Sequence, residues 1–169
     1  QVVTQSLANY LYFKDLTIEN LSELRRILEP HAAKRAAEQI SDDDLIKMEE
    51  INRQTRISLE QQNWDRATQL EVDFHRLVAK QTENPILILV TDFIEKLLED
   101  FKKILKPDAD FMNSVLVSHE KIFTAITNKN GDAAAREMLN HVLDVECYLQ
   151  QLKQKEKGSR LWDNCLLPS

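Results

Sequence analysis

An all-α, antiparallel bundle of about six helices is the fold class this sequence predicts, and three observations predict it. Only 2 Gly and 4 Pro occur in 169 residues, which leaves little material for the turns of many short strands. Leu, Ile, Ala, Glu, Lys and Gln are abundant, and these side chains favour helices. Apolar residues recur at spacings of three and four between successive capping signals. With 43% hydrophobic residues, the chain can build one substantial core and fits a single globular domain.

Residues 1–16 carry no clear period, and Tyr10, Leu11, Tyr12 and Phe13 are unusually apolar for a free terminus. They are expected to be a linker remnant that an upstream domain or a partner covers. From Thr17 a helical pattern runs through Leu21, Leu24, Ile27 and Leu28 to Ala32, Ala33, Ala36 and Ala37, with Pro30 as a candidate kink. Ser41 and Asp44 form a capping-box-like start for a second helix, which carries Leu45, Met48 and Ile51 and reaches about Gln62. Asp65 is the expected cap of a third, through Thr82, with Ala67, Leu70, Phe74, Leu77 and Val78 as its stripe. Asn84 and Pro85 open a fourth that extends to Leu105. A fifth spans 109–128, and Asp132 is the expected cap of a sixth that continues to Lys155. Residues 156–169 are expected to be a tail. Short connections imply antiparallel neighbours.

Charge narrows the function. Twenty-two Lys and Arg stand against 28 Asp and Glu, for a net charge of -6, whereas a duplex-binding surface needs clustered excess cations. Residues 17–155 are therefore not expected to bind DNA unaided. Cys147 and Cys165 form neither a metal knuckle nor the disulfide framework of a small secreted domain, which fits a reducing cytoplasm. No signal-peptide layout opens the sequence, and its longest apolar run, Ile86 to Val90, is far too short to cross a bilayer.

Three of the four histidines fall on apolar stripes of three different helices, a poor place for an imidazole without a partner. His119 lies among Val115, Leu116, Ile122, Phe123 and Ile126, and His141 among Met138, Val142, Val145 and Tyr148. Glu71 and His75 are four apart, stacked on one side of the third helix. Each histidine taken alone reads as a core residue bonded to a carbonyl or carboxylate. Together with Glu71 they also read as a divalent-metal site for Zn, Ni, Mn or Fe(II) that leaves positions open for a chelating ligand.

The runs LSELRRILEPHAAKRAA, LEVDFHRLVAKQTENP, SHEKIFTAI and GDAAAREMLNHV occur in the order seen in FCD domains, and residues 17–150 resemble that family. FCD domains are the C-terminal effector domains of FadR-type GntR transcription regulators. The resemblance implies a metal bound by a D-x-x-x-H pair, a His in an E-H-x-x-I context and a His 22 residues later. His75, His119 and His141 match these positions, while Glu71 stands where the family has Asp. Glu can still coordinate, directly or through a water. Asp73, two residues from His75, points about 200° away on a helix and is the weaker candidate. Arg25 matches the R-x-x-x-E-P pattern, and its guanidinium can face an acid in the pocket or simply pair with Glu29.

The same resemblance implies a homodimer whose winged helix-turn-helix precedes residue 1 and binds DNA, switched by a small carboxylic-acid metabolite. A metal-dependent enzyme of helical-bundle type and a metal-free helical interaction module are the alternatives. Catalysis is not expected. The di-iron bundles use repeated Glu-x-x-His pairs, whereas Glu71-x-x-x-His75 occurs once and no general base stands beside it. Arg26, His31, Asn84, Trp64, Trp162 and the run Asp42 to Asp44 read as surface, capping, packing or first-turn residues.

Overall fold

The computed structural model describes residues 17–156, and these form six α-helices. They are α1 (Ile18–Gln39), α2 (Asp42–Glu60), α3 (Trp64–Lys80), α4 (Pro85–Leu105), α5 (Ala109–Thr127) and α6 (Gly131–Glu156). The predicted all-α bundle is the observed one. Residues 1–16, Trp162 and Cys165 lie outside the described residues, and with them the proposed linker, tail and Tyr10–Phe13 surface.

Local chemistry explains most helix ends. Thr17 and Asn20 form a reciprocal capping box on α1. The Ser41 hydroxyl accepts from the Asp44 amide at 3.2 Å, and Asn84 accepts from the amides of Ile86 and Leu87. Two caps differ from expectation. Asn63, not Asp65, caps α3, accepting from the Arg66 amide at 3.2 Å. At α6, Asn130 accepts from the Ala133 amide, while Asp132 pairs with Lys34. Pro30 lies inside α1, which continues through it as one helix.

Turns are made with almost no glycine. Gln62, Glu83, Lys106 and Lys129 adopt φ values of 48–55° between consecutive helices, a left-handed conformation that glycine takes most easily. Each is followed within two residues by the cap of the next helix. Asp44, beyond opening α2, binds Lys47, Lys80 and Gln81 and so ties the start of α2 to the end of α3. Hydrogen bonds from those three side chains hold its carboxyl well below the ordinary value of 3.8.

The interior is split into two apolar clusters. Every helix contributes to both. One contains Ala32, Ala33, Ala36 and Ala37 of α1, Met48, Phe74, Leu87, Ile122 and Met138; the other contains Ile18, Leu21, Leu59, Ala67, Leu98, Leu116 and Val145. Successive helices meet the clusters in opposite order, as up-down packing requires. Between the clusters lies a polar layer fed by all six helices: Arg25 and Glu29, Asn52 and Thr55, Glu71 and His75, Glu95, His119 and His141, all buried. Leu24 and Ile27, expected on the inner stripe of α1, are instead 44% and 64% exposed.

Candidate metal centre

α3 delivers Glu71 and His75 to the polar layer, four residues apart and hence one above the other. α5 delivers His119 and α6 delivers His141. One ligand atom from each of these four residues lies within 4.8 Å of the other three. All four side chains are buried. The Nε2 atoms of His75 and His141 are 3.2 Å apart. Two nitrogens bound to one ion at about 2.1 Å stand about 3.0–3.4 Å apart at octahedral to tetrahedral angles, so this spacing suits a shared ion.

Of these four residues, Glu71 Oε2 and His119 Nε2 are buried without a hydrogen-bond partner. Such groups are costly unless something else satisfies them. A divalent ion would satisfy both, and the donor set of three imidazoles and one carboxylate suits Zn, Ni, Mn or Fe(II). The His119 ring stacks on Phe74 at 4.0 Å and 8°, which fixes its plane.

A second tier of charge surrounds these four residues. Arg25 reaches both carboxylate oxygens of Glu29, at 2.5 and 3.2 Å, and its Nε lies 3.4 Å from Glu95 Oε1. Glu29 Oε2 lies 3.0 Å from His75 Nδ1, and Arg25 Nη2 lies 3.3 Å from His75 Nε2. The contact to Nδ1 is close but not aligned as a hydrogen bond. A proton on Nδ1 facing Glu29 leaves Nε2 with its lone pair for an ion, the usual carboxylate–histidine–metal arrangement. On the opposite side, Lys102 of α4 donates to Glu71 Oε1.

Burial and neighbouring charges compete at each of these groups. Burial alone would raise the Glu29 carboxyl, but Arg25 and His75 outweigh it and hold it at about 2. Burial raises Glu95, and neither Arg25 nor His75 fully offsets it. His75 would fall on burial, yet Glu95 and Glu29 lift it above 6.5. Burial and the cationic neighbours push His119 well below 6.5, and burial with the other two histidines does the same for His141. Both are therefore neutral at pH 7, the form that coordinates a metal.

All five residues singled out from sequence, Glu71, His75, His119, His141 and Arg25, meet in this layer. Asp73 is not among the grouped ligands and lies near Gln69 and Arg76 on the outer side of α3. Sequence reasoning missed Glu95 and Lys102, and treated Glu29 only as a partner for Arg25. The available signal was the inner face of α4, where Thr91, Glu95, Leu98 and Lys102 follow at spacings of four, three and four.

Residues 20–144 match the FCD domain family, well over half of the chain. The chain belongs to the FCD family. Relatives of this FCD domain include the HTH-type transcriptional repressor RspR of Escherichia coli (strain K12), 27% identical over 141 residues, 82% of this chain and 60% of that protein. The galactonate operon transcriptional repressor of the same strain is 27% identical over 137 residues, 80% of this chain and 58% of that protein. Among solved structures, Streptococcus agalactiae GntR superposes with a TM-score of 0.66 at 27% identity, covering 77% of this chain and 58% of that one. The FCD domain thus spans about three-fifths of the relatives it matches. The two Escherichia coli relatives are named as transcriptional repressors. Among the described residues no helix is long and apolar enough to cross a membrane.

Proposed function

We propose that this FCD domain is the sensor half of a GntR-type transcription regulator, with a divalent ion held by Glu71, His75, His119 and His141. The observation that carries this reading is the convergence within 4.8 Å of ligand-type atoms from four buried residues on three helices, which also hold polar atoms without hydrogen-bond partners. The ion would act as a Lewis acid that attracts the carboxylate of a small organic acid. One relative is named for a galactonate operon, and galactonate is such an acid. Arg25 adds positive charge beside His75, acting through its field because Glu29 already occupies its Nε and Nη2.

Acid binding would bias an equilibrium between two dimer geometries, and it can do so only through unequal affinity for them. DNA would be read by a winged helix-turn-helix outside the described residues. The dimer reading rests on exposed apolar residues of α1 and α4, Leu24, Ile27, Ile86 and Leu89. Sedimentation is expected to show a dimer at micromolar concentration; a monomer at high concentration would remove this role from the two helices.

Elemental analysis of purified protein is expected to find one divalent ion per chain, and thermal-shift screening is expected to find stabilising organic acids. Chelation should lower the melting temperature and abolish the response to acid. An acid response that survives complete metal removal unchanged would leave the ion a structural role and end the sensing mechanism. A metal-free module is the second reading, favoured by Lys102 and Arg25, which already contact Glu71 and His75. Protein free of metal after growth in metal-replete medium, with no ion uptake in vitro, would favour it.

A further inference from the structure

Among the described residues two cationic side chains are buried, Arg25 and Lys102. Both touch the metal-centre residues, Arg25 at His75 and Lys102 at Glu71. They differ in what they hold. Arg25 binds Glu29 through two nitrogens and lies 3.4 Å from Glu95. Lys102, on the inner face of α4, donates to Oε1 of Glu71, the one carboxylate among the four grouped residues. Its side chain is 4% exposed and that of Glu71 is 2%, so salt and water screen this pair little.

The Glu71 carboxylate thus has a cation before any ion arrives. Its other oxygen, Oε2, has no partner and is the atom left to meet an ion. A dication there would share one carboxylate with an ammonium, and like charges a few ångströms apart repel far more in a buried layer than in water. The Lys102 charge also acts on Glu95, His119 and His141, and it disfavours a proton on either histidine. Formal charge points the same way. Glu29, Glu71 and Glu95 are the carboxylates that face Arg25 or Lys102 in this layer. With no ion, two cations leave three carboxylates one charge short of neutral; with a dication, the layer carries one positive charge in excess. A neutral side chain at position 102 would let Arg25 and the dication together cancel all three carboxylates.

We propose that Lys102 is a tethered cation that stands in for the metal's charge at Glu71 and sets the affinity of the centre, weakening it for divalent ions. The inference rests on the metal-centre reading above and deepens it by naming the residue that tunes ion binding. Without an ion, the ammonium spares Glu71 from lying unpaired in the interior, a costly state. With an ion, Glu71 divides its charge between ion and ammonium and holds each less strongly. The consequence is a centre that fills and empties with the supply of ions.

The test titrates the intact protein with Zn²⁺ against a fluorescent chelator of known affinity and records melting curves with and without Zn²⁺. Lys102→Met is expected to bind Zn²⁺ about 10- to 1000-fold more tightly than wild type, the span for like charges a few ångströms apart in surroundings between water and a buried site. Lys102→Arg, which keeps the charge, is expected to bind as wild type does. Lys102→Met should also melt lower than wild type without Zn²⁺ and gain more on adding it. A lysine that merely braced α4 against α3 would lower both melting temperatures alike and leave Zn²⁺ affinity unchanged. Wild-type or weaker affinity in Lys102→Met would therefore overturn the proposal and leave the metal centre standing. Tightening in Lys102→Arg equal to that in Lys102→Met would overturn it too, because charge would not be the cause. If Lys102→Met does not fold even with Zn²⁺, Lys102→Gln, which keeps a donor to Glu71 without the charge, carries the same expectation. Zn²⁺ uptake by the neutral variant alone would support the proposal in its strongest form, with Lys102 replacing the ion outright in wild type. Failure of both wild type and the neutral variants to bind Zn²⁺ would remove the metal centre itself, and this role with it.

Discussion

Arg25→Ala is expected to lower the unfolding free energy by about 3–5 kcal/mol, the cost of breaking a buried ion pair by removing one partner. The guanidinium is 1% exposed and is the counter-charge for Glu29 and Glu95, which are 4% and 2% exposed. Its removal leaves two carboxylates in the interior, with His75 beside both and Lys102 acting on Glu95. Adding Glu29→Gln to the variant should recover part of the loss, because one of the stranded charges is then gone. Urea denaturation at pH 7 measures both effects. A loss below about 1 kcal/mol, the level of an exposed pair, would mean that water reaches the Arg25 network in solution.

His119→Leu should change stability in opposite directions with and without metal. Nε2 of His119 has no hydrogen-bond partner, and burying such a group costs about 1–3 kcal/mol. In chelated protein, Leu removes that cost while keeping an apolar side chain against Phe74, so the variant is expected to be more stable than wild type by about 1 kcal/mol. With metal present at a thousand times its dissociation constant, wild type gains about 4 kcal/mol. The variant, with one ligand missing, gains little. Melting curves with chelator and with excess Zn²⁺ would therefore cross in rank order, and an unchanged metal-induced shift in the variant would exclude His119 from coordination.

The two variants probe groups that differed in how far sequence exposed them. Glu71, His75, His119 and His141 were legible because helical periodicity fixes which face a residue occupies, and polar residues on apolar faces are conspicuous. Helical geometry then favoured Glu71, four residues from His75, over Asp73, which is turned about 200° away. The partners of those residues were less legible. That Lys102 meets Glu71, and Glu95 meets Arg25, depends on how far α4 is shifted along α1 and α3, and periodicity within one helix does not report that shift.

Helix ends show the same division. Ser41 and Asn84 were readable as caps because each stands just before its apolar pattern. Asn63 and Asn130 were passed over for the aspartates two residues later, because the chain turns at Gln62 and Lys129 and nothing about those side chains signals left-handed backbone. Leu24 and Ile27 illustrate the limit on the apolar side. A spacing of three or four cannot distinguish a residue buried in its own core from one left outward on α1.

The polar layer between the two apolar clusters also has a mechanical consequence. Every helix crosses that layer as a continuous rod, so a small rotation there is magnified toward the helix ends. From Glu29 to Thr17 the axis of α1 measures about 18 Å at 1.5 Å per residue. A tilt of about 5° at the layer would move the start of α1 by about 1.5 Å, enough to shift whatever the preceding chain carries. The charged middle of the bundle would thus act as a fulcrum, with Arg25 and Glu29 on α1, the helix that follows Thr17.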